Sequence, residues 1–203
     1  MGNIYPNNHD TTLFQQDIEI NLGWPAGSTC AAVCLYTEAL KNHYNVGSPE
    51  DFINYIARFN TRDNSGSWIR PNLSSALRKI FGIRVVSWNT ANPIQDLDKM
   101  VDSGYIESAE EIDFFNNEIL GKTVVDIVDN GHTVVTTVSP GFATNTRLHA
   151  IVLSPIEPIG TRNIFFDVYN PDKRCSQTIY PRKYVEEALA KGGACSIILP
   201  KLS

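Results

Sequence analysis

The chain changes character at residue 122. Before it, apolar residues recur at helical spacing between polar breaks; after it, β-branched runs separated by turn signals follow one another toward the C-terminus. Residues 132–138, 148–153, 163–170 and 194–199 read as strands, with a helix at about 181–191 before the last of them. Residues 123–128 fit strand or helix equally, and Asp129-Asn130-Gly131 marks a turn. Helices first and strands last predict an α+β fold with a mostly antiparallel sheet.

The first half supplies the helices. Residues 1–24, rich in Asn, Asp and Gln, read as an irregular lead-in with one short strand. A helix is expected over about 29–45, ending at Val46-Gly47. Ser48-Pro49-Glu50-Asp51 has the order of a capped helix start, with proline first and acidic residues in the first turn, ahead of Phe52, Ile53 and Ile56. Residues 60–71 are polar and turn-rich, with Trp68 as their anchor. A helix carrying Leu77, Ile80 and Phe81 closes at Gly82, and residues 83–88 make a short strand. Two acidic amphipathic segments, about 93–101 and 109–119, read as solvated helices. With no internal repeat or linker, the 203 residues are expected to form one domain, a helical part at about 25–120 and a sheet part at about 122–203.

The net charge of −5 argues against nucleic acid or an anionic membrane as partner. No run of about 18 apolar residues predicts a membrane span. The N-terminus has neither the basic start nor the apolar core of a signal peptide, and Pro6 spoils the myristoylation motif that Gly2 begins. The expected location is therefore cytoplasmic, or outside the cell by export without a cleavable signal. Cys30, Cys34, Cys175 and Cys195 have neither CxxC nor zinc-finger spacing, so thiols rather than metal ligands or disulfides are expected.

Gly27-Ser28-Thr29-Cys30-Ala31-Ala32 reads as a loop turning into a helix with a cysteine in its first turn. There the unpaired N–H groups and the positive end of the helix dipole favour thiolate, the nucleophilic form. A cysteine in a helix is also, more plainly, a small buried hydrophobe. A thiol nucleophile needs a base and a group to orient that base. His149 opens a strand, and a hairpin folding about residues 155–162 brings it opposite roughly 167–170, where Asp167 and Asn170 lie. Alternation puts Asp167 and Asn170 on opposite faces, and Asp167 is preferred because a carboxylate stabilises imidazolium. His132 is the rival base beside its turn; His9 and His43 read as surface residues.

This order of residues resembles the papain-like cysteine peptidase superfamily: Cys30 starting the first long helix, the strand after Asn130-Gly131, His149-Ala150-Ile151-Val152-Leu153, and Phe165-Phe166-Asp167-Val168. Asn170-Pro171 is similar to the element that ends the last strand in the double-glycine-leader peptidase type. Phe166-Asp167-Val168 is similar to the strand end in bacterial effector cysteine proteases and glutamine deamidases. The likeness spans residues 27–42 and 122–170. It implies a papain-like fold, with the nucleophile helix packed on the sheet, and a Cys30–His149–Asp167 or Asn170 triad. The implied reaction is hydrolysis of a peptide bond or a protein glutamine side chain without metal or cofactor, and the effector branch implies delivery into another cell. Ala31 and Ala32 stand where the family often has glycine and proline. The family's oxyanion-hole glutamine lies a few residues before the cysteine, whereas Gln15 and Gln16 are fourteen or more residues upstream and Asn21 is nearer. A silent fold serving as a binding module, and an acyltransferase or transglutaminase with the same triad, are the alternatives.

Overall fold

A six-stranded sheet, every neighbouring pair antiparallel, runs through the middle of the computed structural model, which describes residues 13–25, 29–59, 61–62, 68–89, 97–138, 149–172 and 178–202. Its strands are β1 (Val85–Asn89), β2 (Val134–Val138), β3 (His149–Pro155), β4 (Phe165–Tyr169), β5 (Ile179–Pro181) and β6 (Ala194–Ile198), in the order β1-β6-β2-β3-β4-β5. The helices are α1 (Gln15–Leu22), α2 (Cys30–Lys41), α3 (Pro49–Ala57), α4 (Arg70–Phe81), α5 (Leu97–Asp102), α6 (Ala109–Phe114), α7 (Val124–Asp129) and α8 (Arg182–Leu189). A π-helical turn, Phe115–Ile119, continues α6. The architecture is α+β, and no helix among the described residues is long and apolar enough to cross a membrane.

Helices cover both faces of the sheet. Ile18 of α1, the apolar residues of α2 and α3, and Leu73, Ala76 and Leu77 of α4 form one core with Val85, Val135, Ala150, Val152, Tyr169 and Ile198. Met100, Phe115, Ile119, the valines of α7 and Val185 of α8 form the other, with Val86, Val134, Ile151, Leu153, Phe166, Val168 and Ile197. Strands buried on both sides carry continuous rather than alternating apolar runs. The helical half therefore does not stack as one block: β1, from within it, pairs with β6, and α5 and α6 cross to the far face.

Local chemistry explains most boundaries. The Ser48 hydroxyl accepts the Asp51 N–H with Pro49 at the first helical position, and Gly82 ends α4 at φ 63°, a left-handed conformation open to glycine. Residues 123–128 resolve as helix because Thr123 and Asp126 form a reciprocal capping box, which outweighs the β-branched composition. Residues 15–22 form a helix instead of an irregular lead-in. Its buried side is Gln15, Ile18 and Glu19, so polar side chains stand where an apolar stripe would announce it. Nor are the acidic segments wholly solvated. Glu111 is buried, accepting the Val85 and Glu107 N–H groups at 3.1 and 2.8 Å and pairing with Arg78 at 2.9 Å, which ties α4, α6 and β1 together.

The β3–β4 hairpin is knotted at its turn. Asn163 donates its backbone N–H and side-chain amide to Asp129 Oδ1 at 2.9 and 2.8 Å, while its own Oδ1 accepts the Ile156 and Glu157 N–H groups. Arg182 donates to Asp129 Oδ2 at 2.8 Å, and the Asp129 carbonyl accepts the Gly160 N–H. Burial pushes the Asp129 carboxyl up, but the bonds from Asn163 and Arg182 outweigh it and hold the group below the usual carboxylate range. A depressed folded value means that this stabilisation is whole above the unfolded value of about 3.9 and is lost as pH falls through the lower folded one. Asp129→Asn is expected to cost about 1–3 kcal/mol at pH 7 by urea denaturation, with the difference from the parent shrinking below about pH 4. An equal difference at both pH values would discount the charge.

Candidate functional site

The β3–β4 register determines what meets His149. Val152 pairs with Tyr169 and Ser154 with Asp167, so partner positions sum to a constant. His149 opens β3 and Asn170 follows the end of β4, both beyond the paired residues Val152–Pro155 and Phe166–Tyr169, whereas Asp167 lies within the ladder. His149 Nε2 bonds Asn170 Oδ1 at 2.7 Å, with both residues buried. Asp167 is thus not the histidine's partner. It sits opposite Ser154, five residues along β3 or about 17 Å from position 149.

A second bond fixes the chemistry of the first. The Asp172 backbone N–H donates to the same Asn170 Oδ1 at 2.9 Å, which identifies that atom as the carbonyl oxygen. His149 Nε2 must then carry a proton and donate it, leaving Nδ1 as the basic nitrogen.

Cys30 begins α2, with Thr29 as the residue that caps it. Cys34, one turn further on the same helix face, has its thiol 3.6 Å from the Ala150 carbonyl, which puts the first half of α2 against the start of β3. α1 joins the two sides. The Gln15 N–H donates to the Pro171 carbonyl at 2.9 Å, next to Asn170, and Gln16 Nε2 donates to the buried Asp172 at 2.6 Å. One turn on, Glu19 Oε1 accepts both the N–H and the hydroxyl of Thr29, at 3.0 and 2.8 Å. These contacts close a circuit: α1 to Thr29, Thr29 to Cys30 and along α2 to Cys34, Cys34 to Ala150, His149 to Asn170, Pro171 back to α1.

Gln15 is 1% exposed, and its Oε1 is buried without a hydrogen-bond partner. An unmet buried polar atom of this kind costs about 1–3 kcal/mol. Gln15 stands fifteen residues before Cys30 in the chain, and α1 carries it one turn before Glu19, which holds Thr29. Its spacing from Glu19, four residues, is the signal that a helix was there to be found. Asn21, the nearer candidate, instead donates to Glu50 at an exposed position.

The remaining residues fall elsewhere. His132 lies among α6, the π-helical turn and α7, its Nε2 3.3 Å from Glu118 and its ring edge-on to Phe114. Hydrogen bonding to His132, then to Lys122, outweighs slight burial and lowers the Glu118 carboxyl. His43 is exposed at φ 64°. Cys195 is buried against the Thr136 hydroxyl at 3.1 Å. His9, Cys175 and the loop at 139–147 lie outside the described residues. Two cavities, of about 530 and 860 Å³, open on the far side of the sheet, and none of Cys30, His149 and Asn170 lines them.

Comparisons of the chain with family models, curated proteins and solved structures find no match.

The bond pattern makes a direct expectation for nitrogen NMR of the imidazole. His149 Nε2 keeps its proton across the native pH range and Nδ1 is the nitrogen that titrates. Asn170→Ala abolishes that preference and Asp167→Ala does not. A parent protein whose Nε2 titrates would contradict the assignment.

Proposed function

We propose that the chain is a papain-like cysteine hydrolase that cleaves an amide, with Cys30 as nucleophile, His149 as base and Asn170 as the residue that orients the base. The observation carrying this reading is the buried 2.7 Å bond from His149 to Asn170, made at the start of the strand against which the cysteine helix packs. Cys30 and His149 open the two packed elements, α2 and β3, and the proposed chemistry brings their side chains together at that end.

His149 Nδ1 takes the Cys30 thiol proton, and the thiolate attacks the carbonyl carbon of the amide. The negative charge moves to the carbonyl oxygen, which the Cys30 N–H and the Gln15 side-chain amide receive. His149 returns its proton to the leaving nitrogen, so the C–N bond breaks and a thioester remains. Water, giving a proton to His149, then attacks the thioester, and the acid and the thiol are released. Asn170 keeps the ring in this tautomer throughout without adding a charge.

A peptide bond and a glutamine side chain present the same carbonyl to this machinery, so both are substrate classes of the proposal. The Arg62–Trp68 bridge lies in the polar, turn-rich segment at 60–71. Arg62 lies over Trp24 at 4.8 Å and over Trp68 at 5.5 Å, making an aromatic wall on the segment between α1 and Cys30.

The test is the pH dependence of Cys30 alkylation. The rate is expected to be already high near pH 6, reflecting a thiol pKa well below the ordinary value of about 8.5, and to fall by about a hundredfold in His149→Ala. A thiol that titrates ordinarily and ignores His149 would make this a binding module rather than an enzyme.

A further inference from the structure

Four helix-capping residues in the described chain are serine or threonine, and three behave alike. Ser48, Ser108 and Thr123 sit in extended backbone, with ψ of 155°, 160° and 161°, and each accepts the N–H three residues on. Thr29 does not. Its carbonyl accepts the Val33 N–H as a cap should, but its backbone stands at φ −116° and ψ −3°, and its side chain makes no capping bond to α2. The hydroxyl turns away to donate to Glu19, which also takes the Thr29 N–H on the same oxygen.

We propose that Glu19 is a positioning residue for the nucleophile: it holds the Thr29 hydroxyl off the start of α2 and so reserves the helix's first N–H groups for the anion formed at Cys30. This inference rests on the cysteine-hydrolase reading above and deepens it. A threonine cap in the usual conformation would engage the N–H of Ala31 or Ala32 and compete with that anion. Ala31 and Ala32 bring no polar side chain of their own to those groups. Gln15 lies one turn earlier on the same buried side of α1.

Removing Glu19 has two opposed effects. Loss of a buried carboxylate near the thiol favours thiolate, whereas release of the Thr29 hydroxyl to cap α2 disfavours it. A double-mutant cycle separates them, because it compares the hydroxyl's effect with and without Glu19. Asp17 on α1, His149 on β3, Tyr36, Cys34, Glu38 and Lys41 on α2, Glu50, Asp51 and Tyr55 on α3, Cys195 on β6 and Asp172 after β4 are the other titratable groups on the elements packed around α2 and its start, and they are common to all four proteins.

The kinetic pKa of Cys30 is read from iodoacetamide alkylation in the parent, Thr29→Val, Glu19→Ala and the double variant, each checked for native circular dichroism. Thr29→Val is expected to leave the parent value unchanged. In the Glu19→Ala background the threonine-bearing protein should titrate about one pH unit higher than its valine counterpart. Glu19→Leu, which fills the buried volume, replaces Glu19→Ala if the latter unfolds. Glu19→Gln retains the acceptor and should make the hydroxyl silent again. A hydroxyl without effect in either background, beside a depressed parent pKa that depends on His149, overturns this proposal alone. A parent thiol that titrates ordinarily and ignores His149 overturns the hydrolase reading and this inference with it.

Discussion

The pairing of Val152 with Tyr169 governs the rest of the molecule's chemistry. A shift of that register would move Asn170 along β3 relative to His149 and break the 2.7 Å bond between them. Hydrophobicity does little to prevent that shift. Ile151, Val152 and Leu153 are all buried, so either register of β3 would hide its side chains equally well. The restraint comes from polar groups at the turn. Asn163 spends its side chain on Asp129, Ile156 and Glu157, and Arg182 completes the cluster from the start of α8. Thus Asp129 at the end of α7 ties down the turn of the hairpin that brings Asn170 to His149.

The sequence was most legible where local rules act alone. The caps at Ser48 and Gly82, and the β-branched runs that became β2, β3, β4 and β6, need only near neighbours to be read. The order Cys, His, Asn along the chain was visible for the same reason. The choice between Asp167 and Asn170 was not, because it depends on a register set by Asp129, and that residue looks like an ordinary turn aspartate. The expectation that 149 opposes roughly 167–170 is off by only a few residues, and that shift leaves Asp167 five residues along β3 from His149. The 15–22 helix was hidden for a different reason: its inward face is built from glutamine and glutamate, the reverse of the pattern by which an amphipathic helix is recognised.

That inversion is understandable once the position of α1 is considered. Thr29 and Asp172, which it anchors, are fully buried and need polar partners, and an apolar helix in the same place would leave their donors and acceptors unmet. Gln16 and Glu19 answer that need within one turn. The helix is weakly apolar because its task is to satisfy buried polar groups at the end of a sheet, while α2 and α3 supply the burial that holds it there.

The same crowding of polar groups bears on why an amide, rather than a carboxylate, faces His149. Glu19 and Asp172 already bring two buried carboxyl groups to the elements around the thiol. A third acid at position 170 would stabilise imidazolium, but it would also add repulsion against the thiolate, and charges in a poorly hydrated site interact more strongly than in water. Asn170 gives the orientation without the charge. Its oxygen is held by the Asp172 N–H, so the amide cannot rotate to present its nitrogen to the ring without losing that bond. Under the proposed mechanism the thiolate is favoured by the start of α2 and by His149 and opposed by Glu19, and Asn170 adds direction alone.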